Sequence, residues 1–291
     1  MSSVIGHGAI LRELRGLALG PAPPHALLIA GQEGTGRSLL AREYARLLNC
    51  ERAQPAPAGA AFAGLGPPPL EADARPCGAC RACRLIAEGG HPDVIVMGPG
   101  DALCKPRGGE SHAKHPDVRD IRICQVRGAI ELAARYPFEA PYRLIIIEPA
   151  ERLYREAQHA LLKSLEEPPP QTFFALVTAA PESLIETIVS RCRRIEVSPV
   201  PRAELESALV ARGVAPGLAR EAAAASRGRP GQALSFVATP DLMATRTRML
   251  GRCARVASEG LKARLDYAER LAERYRGERA SVLAELDAWE T

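Results

Sequence analysis

Four cysteines in the first third of the chain have the spacing of a metal site. Cys77, Cys80 and Cys83 form a C-x-x-C-x-x-C run, and Cys50 precedes them at the end of an apolar helical pattern. Four thiolates complete a tetrahedral zinc shell, which is typical of a structural site because no coordination position stays open for a substrate. A redox C-x-x-C pair is the alternative, but it gives no role to the third cysteine. The spacing therefore predicts structural zinc, and His91 is a weaker candidate ligand that fits the start of a strand better.

A second stretch, GQEGTGRS, has the spacing of a phosphate-binding loop, G-x-x-x-x-G-K-[ST], with Arg37 in place of the lysine. Arginine keeps the positive charge, but its wide planar fork does not replace a slim ammonium. Ser38 stands where a hydroxyl would bind magnesium. The pattern is compatible with nucleotide binding and unfavourable for efficient hydrolysis; a chance glycine turn is the alternative. The tight turn is permitted by three glycines, Gly31, Gly34 and Gly36.

The acidic residues that hydrolysis needs are also altered. A third apolar run ends in LIIIEPAER, so Glu148 offers one carboxylate for magnesium. The next position, where a second carboxylate would activate water, is Pro149. Two parts of a hydrolytic site are thus changed in one chain, which favours a protein that does not turn over nucleotide.

Strands alternate with helices up to Pro199, which predicts an α/β fold with a parallel sheet and helices on both faces. After Pro199 the pattern is helical only. Ala53–Arg75 and Gly98–Pro116 are predicted to be loops. The predicted strands are Ala26–Ala30, Asp93–Met97, Arg143–Ile147 and Phe173–Thr178. The predicted helices are Ser38–Asn49, Val118–Tyr136, Arg152–Glu167, Glu182–Val189, Arg202–Arg212, Leu218–Ser226, Pro230–Val237 and, as further helix, Leu242–Trp289.

Composition narrows the function classes. The net charge of +4 permits contact with nucleic acid but does not argue for it. No apolar run approaches the roughly 20 residues of a membrane span, and the N-terminus has no signal-peptide pattern. We therefore expect a cytoplasmic protein with no membrane association, whose cysteines are reduced or metal-bound.

Several motifs in order resemble a known family: HALLIAGQEGTGRS, the cysteine run, GGHPDV, RLIIIEPAERL, ALLKSLEEPPPQTFFALVT and IVSRCRRI. They are similar to the delta-prime subunits of the bacterial DNA polymerase III clamp loader, a branch of the AAA+ ATPases, from about Ile5 to Val237. The resemblance implies a RecA-like AAA+ parallel-sheet domain over residues 1–198 with a zinc module near 50–83. It also implies a helical lid over 199–238 and a helical collar-type domain over 239–291, which is shorter than a full collar.

The resemblance also implies roles for individual positions. Ser190-Arg191-Cys192 matches a motif whose arginine reaches into the ATP site of a neighbouring subunit. Gln232 stands where the lid usually carries an arginine that touches the γ-phosphate. This is the third change, after Arg37 and Pro149, to a residue that ATP hydrolysis uses in the family. The remaining matches are the zinc module (Cys50, Cys77, Cys80, Cys83), the nucleotide loop (Gly31–Ser38), the acidic box (Glu148 and Glu151) and the sensor (Thr178).

These roles predict a non-hydrolysing or weakly hydrolysing clamp-loader subunit of the DNA polymerase III holoenzyme that helps to load the sliding clamp onto primed DNA. The expected partners are gamma/tau and delta subunits, the clamp, and primed DNA through the complex. ATP with magnesium is neither required nor excluded by the residues. The alternatives are an active gamma/tau-like ATPase, or a P-loop nucleotide kinase with a zinc knuckle, in which the SRC and LLKSLEEPP segments have no role. Taken alone, Arg191 also fits a surface or salt-bridged arginine.

Overall fold

The computed structural model describes residues 4–53, 75–100, 103–104 and 119–289. Contacts divide the chain into two units, residues 1–201 and residues 202–291. The loops predicted at Ala53–Arg75 and Gly98–Pro116 lie mostly outside the described residues. The finer division into lid and collar at residue 238 stays a prediction. None of the described helices is both long enough and apolar enough to cross a membrane.

The first unit is built on a five-stranded sheet, in which the strands are parallel and follow the order β2-β3-β4-β1-β5. The carboxyl ends of all five strands therefore meet at one edge. The elements in chain order are α1 (Gly8–Leu19), β1 (Ala26–Gly31), α2 (Arg37–Asn49), α3 (Arg81–Glu88), β2 (Val94–Met97), α4 (Ile123–Ala133), β3 (Arg143–Ile147), α5 (Arg155–Glu166), β4 (Thr172–Thr178), α6 (Glu186–Val189) and β5 (Arg193–Val197).

Alternate residues of the buried strands feed two hydrophobic layers, as the two-residue period of a strand requires. Leu27 and Ile29 of β1 pack with α1, α2 and α3 on one face of the sheet. Ala26 and Leu28 pack with α4, α5 and α6 on the other face. Because helices cover both faces, the inner strands are buried along their whole length and mostly apolar, which is why β3 and β4 were recognisable as apolar runs.

Three elements were missed by the sequence patterns, and one of them is α3, which begins within the cysteine run. The strand β5 lies at the sheet edge beside β1, and only Ile195 and Val197 of its five residues are buried, so no apolar run marks it. The helix α1 precedes the first strand and buries mainly Leu14 and Ala18.

Four predicted helices are shorter in the structure, and the smallest difference is in Arg202–Arg212, which ends at Val210. Val118–Tyr136 contracts to α4, with residue 118 outside the described part. Arg152–Glu167 begins only at Arg155, because Ala150–Arg152 forms a separate 3-10 turn. Glu182–Val189 is a 3-10 turn at Pro181–Ser183 followed by the single-turn α6.

The second unit is helical in its described residues, as predicted. Three of its helices have proline in the first turn, where the missing N–H has no intrahelical partner to lose. Val256, Tyr267, Leu271 and Val282 form a hydrophobic cluster among the last three helices. The elements are α7 (Arg202–Val210), α8 (Pro216–Ala225), α9 (Pro230–Ala238), α10 (Pro240–Ser258), α11 (Leu261–Tyr275) and α12 (Arg279–Trp289).

Candidate nucleotide and zinc sites

The glycine loop connects the carboxyl end of β1 to the N-terminus of α2, as its spacing predicts. Gly34 and Gly36 have φ angles of 81° and 100°, a conformation that favours glycine. Gly31 serves packing instead, because a Cβ there would lie 2.3 Å from the carbonyl oxygen of Val197. Thr35 is fully buried, and its hydroxyl donates to the Gln32 carbonyl at 2.7 Å. The loop is thus a fixed turn rather than a loose connection.

The N-terminus of α2 is open to an anion. Its N-cap is Gly36, no side chain caps its first N–H groups, and its first turn contains no acidic residue. Backbone N–H groups in this position are donors for phosphate oxygens. Arg37 stands in the first turn with 8% of its surface exposed, and its Nη1 is buried without a hydrogen-bond partner among the described residues.

Three strand ends bring the predicted nucleotide-site residues together. Glu148 follows β3, and its carboxylate accepts a hydrogen bond from the hydroxyl of Ser38 in α2. Thr178 ends β4 directly opposite Ala30 of β1, is fully buried, and accepts from the backbone N–H of Ala180 at 3.0 Å. A hydroxyl and a carboxylate in contact beside a phosphate loop are the protein ligands that magnesium takes in such sites. These residues therefore fit a magnesium–nucleotide group.

The second acidic position of the predicted site is occupied by proline. Pro149 follows Glu148 and carries no ionisable group. Glu151, which the resemblance places in the acidic box, accepts instead from the backbone N–H of Ala179 at 3.3 Å. Gln232 lies in the first turn of α9 in the second unit, and its Oε1 is buried without a hydrogen-bond partner in the described structure.

Arg191 lies in the segment between α6 and β5. Its Nη2 pairs with Glu166 at 2.5 Å, and its Nη1 donates to the Thr187 carbonyl at 2.8 Å. The side chain remains 34% exposed. Arg193, two residues later, is paired with Leu27 near the start of β1, whereas the glycine loop begins at the end of that strand. Arg191 therefore lies near the amino ends of the strands, whereas the loop lies at their carboxyl ends, about 13 Å or more away along β1.

The four predicted zinc ligands converge. The sulfur atoms of Cys50, Cys77, Cys80 and Cys83 all lie within 4.8 Å of one another. Zn–S bonds of about 2.3 Å in a tetrahedron place sulfurs about 3.8 Å apart, so the cluster fits zinc closely. His91 is not a member, because its Nδ1 accepts from the Asp93 N–H at 3.1 Å and its Nε2 faces Glu139 at 3.6 Å.

Backbone N–H groups surround these sulfurs, as in metal sites with an organised second shell. The N–H of Cys80 points at Cys77 Sγ at 3.3 Å, and that of Cys83 at Cys80 Sγ at 3.4 Å. The Cys83 thiol hydrogen-bonds to Cys50 and lowers the pKa of Cys50 to about 5, against the effect of burial. The same bond and burial raise the pKa of Cys83. The thiolate is thus favoured at Cys50, and the thiol form is favoured at Cys83.

A buried carboxylate that the sequence patterns missed fixes the loop before β3. Asp93 is fully buried and accepts from the backbone N–H groups of Phe138, Glu139 and Ala140 at 2.7, 2.9 and 3.0 Å. Arg143 pairs with it at 3.0 Å. Burial raises the pKa of Asp93, but these donors outweigh burial and lower it overall.

The same loop is joined to the cysteine module. Arg81, in the first turn of α3 between two of the cysteines, pairs with Glu139 at 2.5 Å. The contacts to Asp93 span 45 to 47 residues of sequence, so no local pattern signals them.

A parallel α/β sheet with a glycine loop after β1 and an acidic residue after β3 defines a P-loop domain of the RecA-like, AAA+ class, here with a four-cysteine module. Residues 68–201 match the family described as "DNA polymerase III, delta subunit". The match includes three of the four clustered cysteines, β2 to β5 and Arg191.

Individual relatives agree with this. The delta' subunit of DNA polymerase III from Pseudomonas aeruginosa is 34% identical over 65% of this chain and 48% of its own length. The delta' subunit from Bacillus subtilis is 30% identical over 67% of this chain and 49% of its own length. The tau subunit from Bacillus subtilis is 32% identical over 66% of this chain and 28% of its own length. The predicted similarity to delta' subunits is confirmed, and the chain matches about half the length of those relatives.

Proposed function

We propose that this chain is a clamp-loader subunit with little or no ATP hydrolysis of its own, which supplies Arg191 to the ATP site of a neighbouring subunit. The similarity to delta' and tau subunits of DNA polymerase III supports a place in that assembly. The proposed partners are gamma/tau and delta subunits, the sliding clamp, and primed DNA reached through the complex. In this role the chain helps to load the clamp during replication.

The residues that follow β3 support the first half of the proposal. The observation that carries it is that position 149 is a proline, which has no carboxylate. Ser38 and Glu148 can hold magnesium, and the open N-terminus of α2 with the buried Arg37 can hold phosphate. A carboxylate that would orient the attacking water is absent at position 149. Since phosphoryl transfer depends on positioning and charge stabilisation, a site of this kind binds nucleotide without efficient turnover.

The position of Arg191 supports the second half. It lies near the amino ends of the strands, whereas the chain's own glycine loop lies at their carboxyl ends. It therefore cannot contact a phosphate bound to that loop. Its guanidinium is partly exposed and is held in one orientation by Glu166 and the Thr187 carbonyl. An arginine that is held in place and accessible has the properties needed to reach a phosphate on another subunit.

The test replaces Arg191 with alanine in a complex reconstituted with gamma/tau and delta subunits, clamp and primed DNA. Because a trans-acting arginine accelerates phosphoryl transfer by about 10³–10⁵, hydrolysis at the adjoining site should fall by at least about 10³-fold, and clamp loading with it. Arg191→Lys should rescue poorly, since an ammonium lacks the planar fork. Arg193→Ala is the matched control, because Arg193 is an exposed arginine paired with Glu13 at 2.8 Å. Clamp loading at the wild-type rate by Arg191→Ala would reduce Arg191 to a surface ion pair.

The similarity to tau favours a second candidate, an active gamma/tau-like ATPase that tolerates Arg37. Turnover of ATP by the purified chain at about 1 per second or faster, an ordinary enzyme rate, would select this candidate. Turnover near background would reject it.

A further inference from the structure

Helices α10 and α11 enclose a groove of about 380 Å³ in the second unit. The lining residues of α11 are spaced i, i+3, i+4 and i+7. Those on the α10 side have the same spacing, with Glu259 directly after the last residue of the helix, so each wall follows one helical face. Apolar side chains form the floor, where Val256 and Leu271 are buried. Arginines line both walls: Arg252 and Arg255 from α10, and Arg270 and Arg274 from α11.

A buried carboxylate fixes one pair of these arginines. Glu285 of α12 is 1% exposed, and its two oxygens face Arg252 at 3.2 Å and Arg274 at 3.1 Å. Tyr267 also donates to Glu285 at 2.5 Å. Burial raises the pKa of Glu285, but these partners outweigh it and lower the pKa overall. Glu278 also lies 3.1 Å from Arg274. The charges of Arg252 and Arg274 are therefore neutralised, and these two arginines hold the helices together.

The other pair has no such partners. Arg255 and Arg270 are exposed, and within the described residues neither has a carboxylate within 4.0 Å nor a hydrogen bond from its side chain. Glu259 is the one acidic residue among those that line the groove. Two guanidinium groups on facing walls are thus available to an anion, above an apolar floor.

We propose that this groove binds the phosphodiester backbone of single-stranded nucleic acid, with Arg255 and Arg270 as phosphate ligands. A guanidinium donates two parallel N–H groups to phosphate oxygens. The groove has the volume of a small-ligand site, which suits a short piece of one strand and not the body of a duplex. The apolar floor favours a ligand with sugar and base beside its phosphates over a bare anion, in the manner of single-strand binding grooves.

The experiment measures fluorescence anisotropy of a labelled oligothymidylate with the full-length chain, in a salt series. The variant Arg255→Ala/Arg270→Ala should bind at least about tenfold more weakly. Its log–log salt slope should be smaller by about 1.4, because each single-strand phosphate contact contributes about 0.7. The melting temperature should change little, since neither side chain makes an ion pair or a hydrogen bond within the described residues. Glu259→Gln should tighten binding by about twofold, because it removes the repelling carboxylate.

The control Lys262→Ala/Arg276→Ala removes the same charge from exposed positions outside the groove lining, and should change affinity by less than about twofold. Several results would overturn the proposal. They are no binding by the wild-type chain, equal binding by the Arg255→Ala/Arg270→Ala variant, and equal losses in the control. Equal affinity for oligoglutamate of the same length would also overturn it, by assigning the groove to acidic peptides.

Discussion

The cysteine module and the glycine loop are both ligand sites formed by a turn that leads into a helix, but they differ in what they retain. In the module all four donors are present, and their sulfurs are already grouped within 4.8 Å. In the predicted nucleotide site the loop backbone has the expected turn, while Arg37 stands at the position of the loop lysine and Pro149, after β3, carries no carboxylate. The module therefore has its full set of potential ligands, whereas the nucleotide site has the loop geometry with two of the expected side chains changed.

The loop geometry has structural contacts that do not depend on turnover. Gly31 admits the close approach of the Val197 carbonyl, and the buried Thr35 hydroxyl closes the turn. Ser38 and Glu148 link α2 to the end of β3. These contacts stabilise the sheet edge whether or not nucleotide is hydrolysed. A tetrahedral metal site has no such second use, because the loss of one of four donors opens the coordination shell.

The largest expected effect is on the module. The purified chain should contain about one equivalent of zinc, and Cys80→Ser should lose it, because structural zinc binding at neutral pH is worth roughly 10–16 kcal/mol and is coupled to folding. Metal analysis gives the occupancy, and limited proteolysis should show cleavage near residues 75–88 in the variant. Cys104→Ser, at a cysteine outside the cluster, should keep its zinc. A wild-type chain that contains no zinc and has four titratable thiols would contradict this prediction and would remove the difference between the module and the loop.

A smaller effect is expected where the module meets the sheet. Asp93→Asn removes the charge that three backbone N–H groups and Arg143 surround, and breaking such a buried pair costs about 3–5 kcal/mol of unfolding free energy. Urea unfolding at pH 7 measures it, with Asp120→Asn as an exposed control that should change stability by less than about 0.5 kcal/mol.

The pH dependence of that contribution has a definite sign. The pKa of Asp93 is lowered in the folded state, so its stabilisation is complete above the ordinary value near 3.9 and is lost as pH falls through the folded pKa. An unchanged urea midpoint in Asp93→Asn would show that the loop before β3 is held by other contacts.

The sequence was informative where a site is local. The cysteine run and the glycine loop each lie within a few residues, and the inner strands are uninterrupted apolar runs. It was silent where contacts are distant or half-exposed. Asp93 binds N–H groups 45 residues away, and β5 is an edge strand with polar residues on its outer side. The pairing of Arg191 with Glu166 joins two motifs whose mutual distance no spacing rule gives.

The smallest expected effect tests the altered site. Arg37→Lys restores the loop ammonium, yet it should raise ATP turnover of the purified chain by less than about tenfold, because parts that stabilise one transition state act as a unit. Pro149 still leaves the attacking water without a carboxylate, and Gln232 still stands in the place of the lid arginine. Only the triple variant Arg37→Lys/Pro149→Glu/Gln232→Arg should turn over measurably faster than the single variants. Steady-state phosphate release is the measurement, and Ser38→Ala added to the triple variant should abolish the gain by removing the magnesium hydroxyl. If the single variant Arg37→Lys hydrolyses ATP at about 1 per second, the loop lysine is the one residue that the site lacks for ATP hydrolysis.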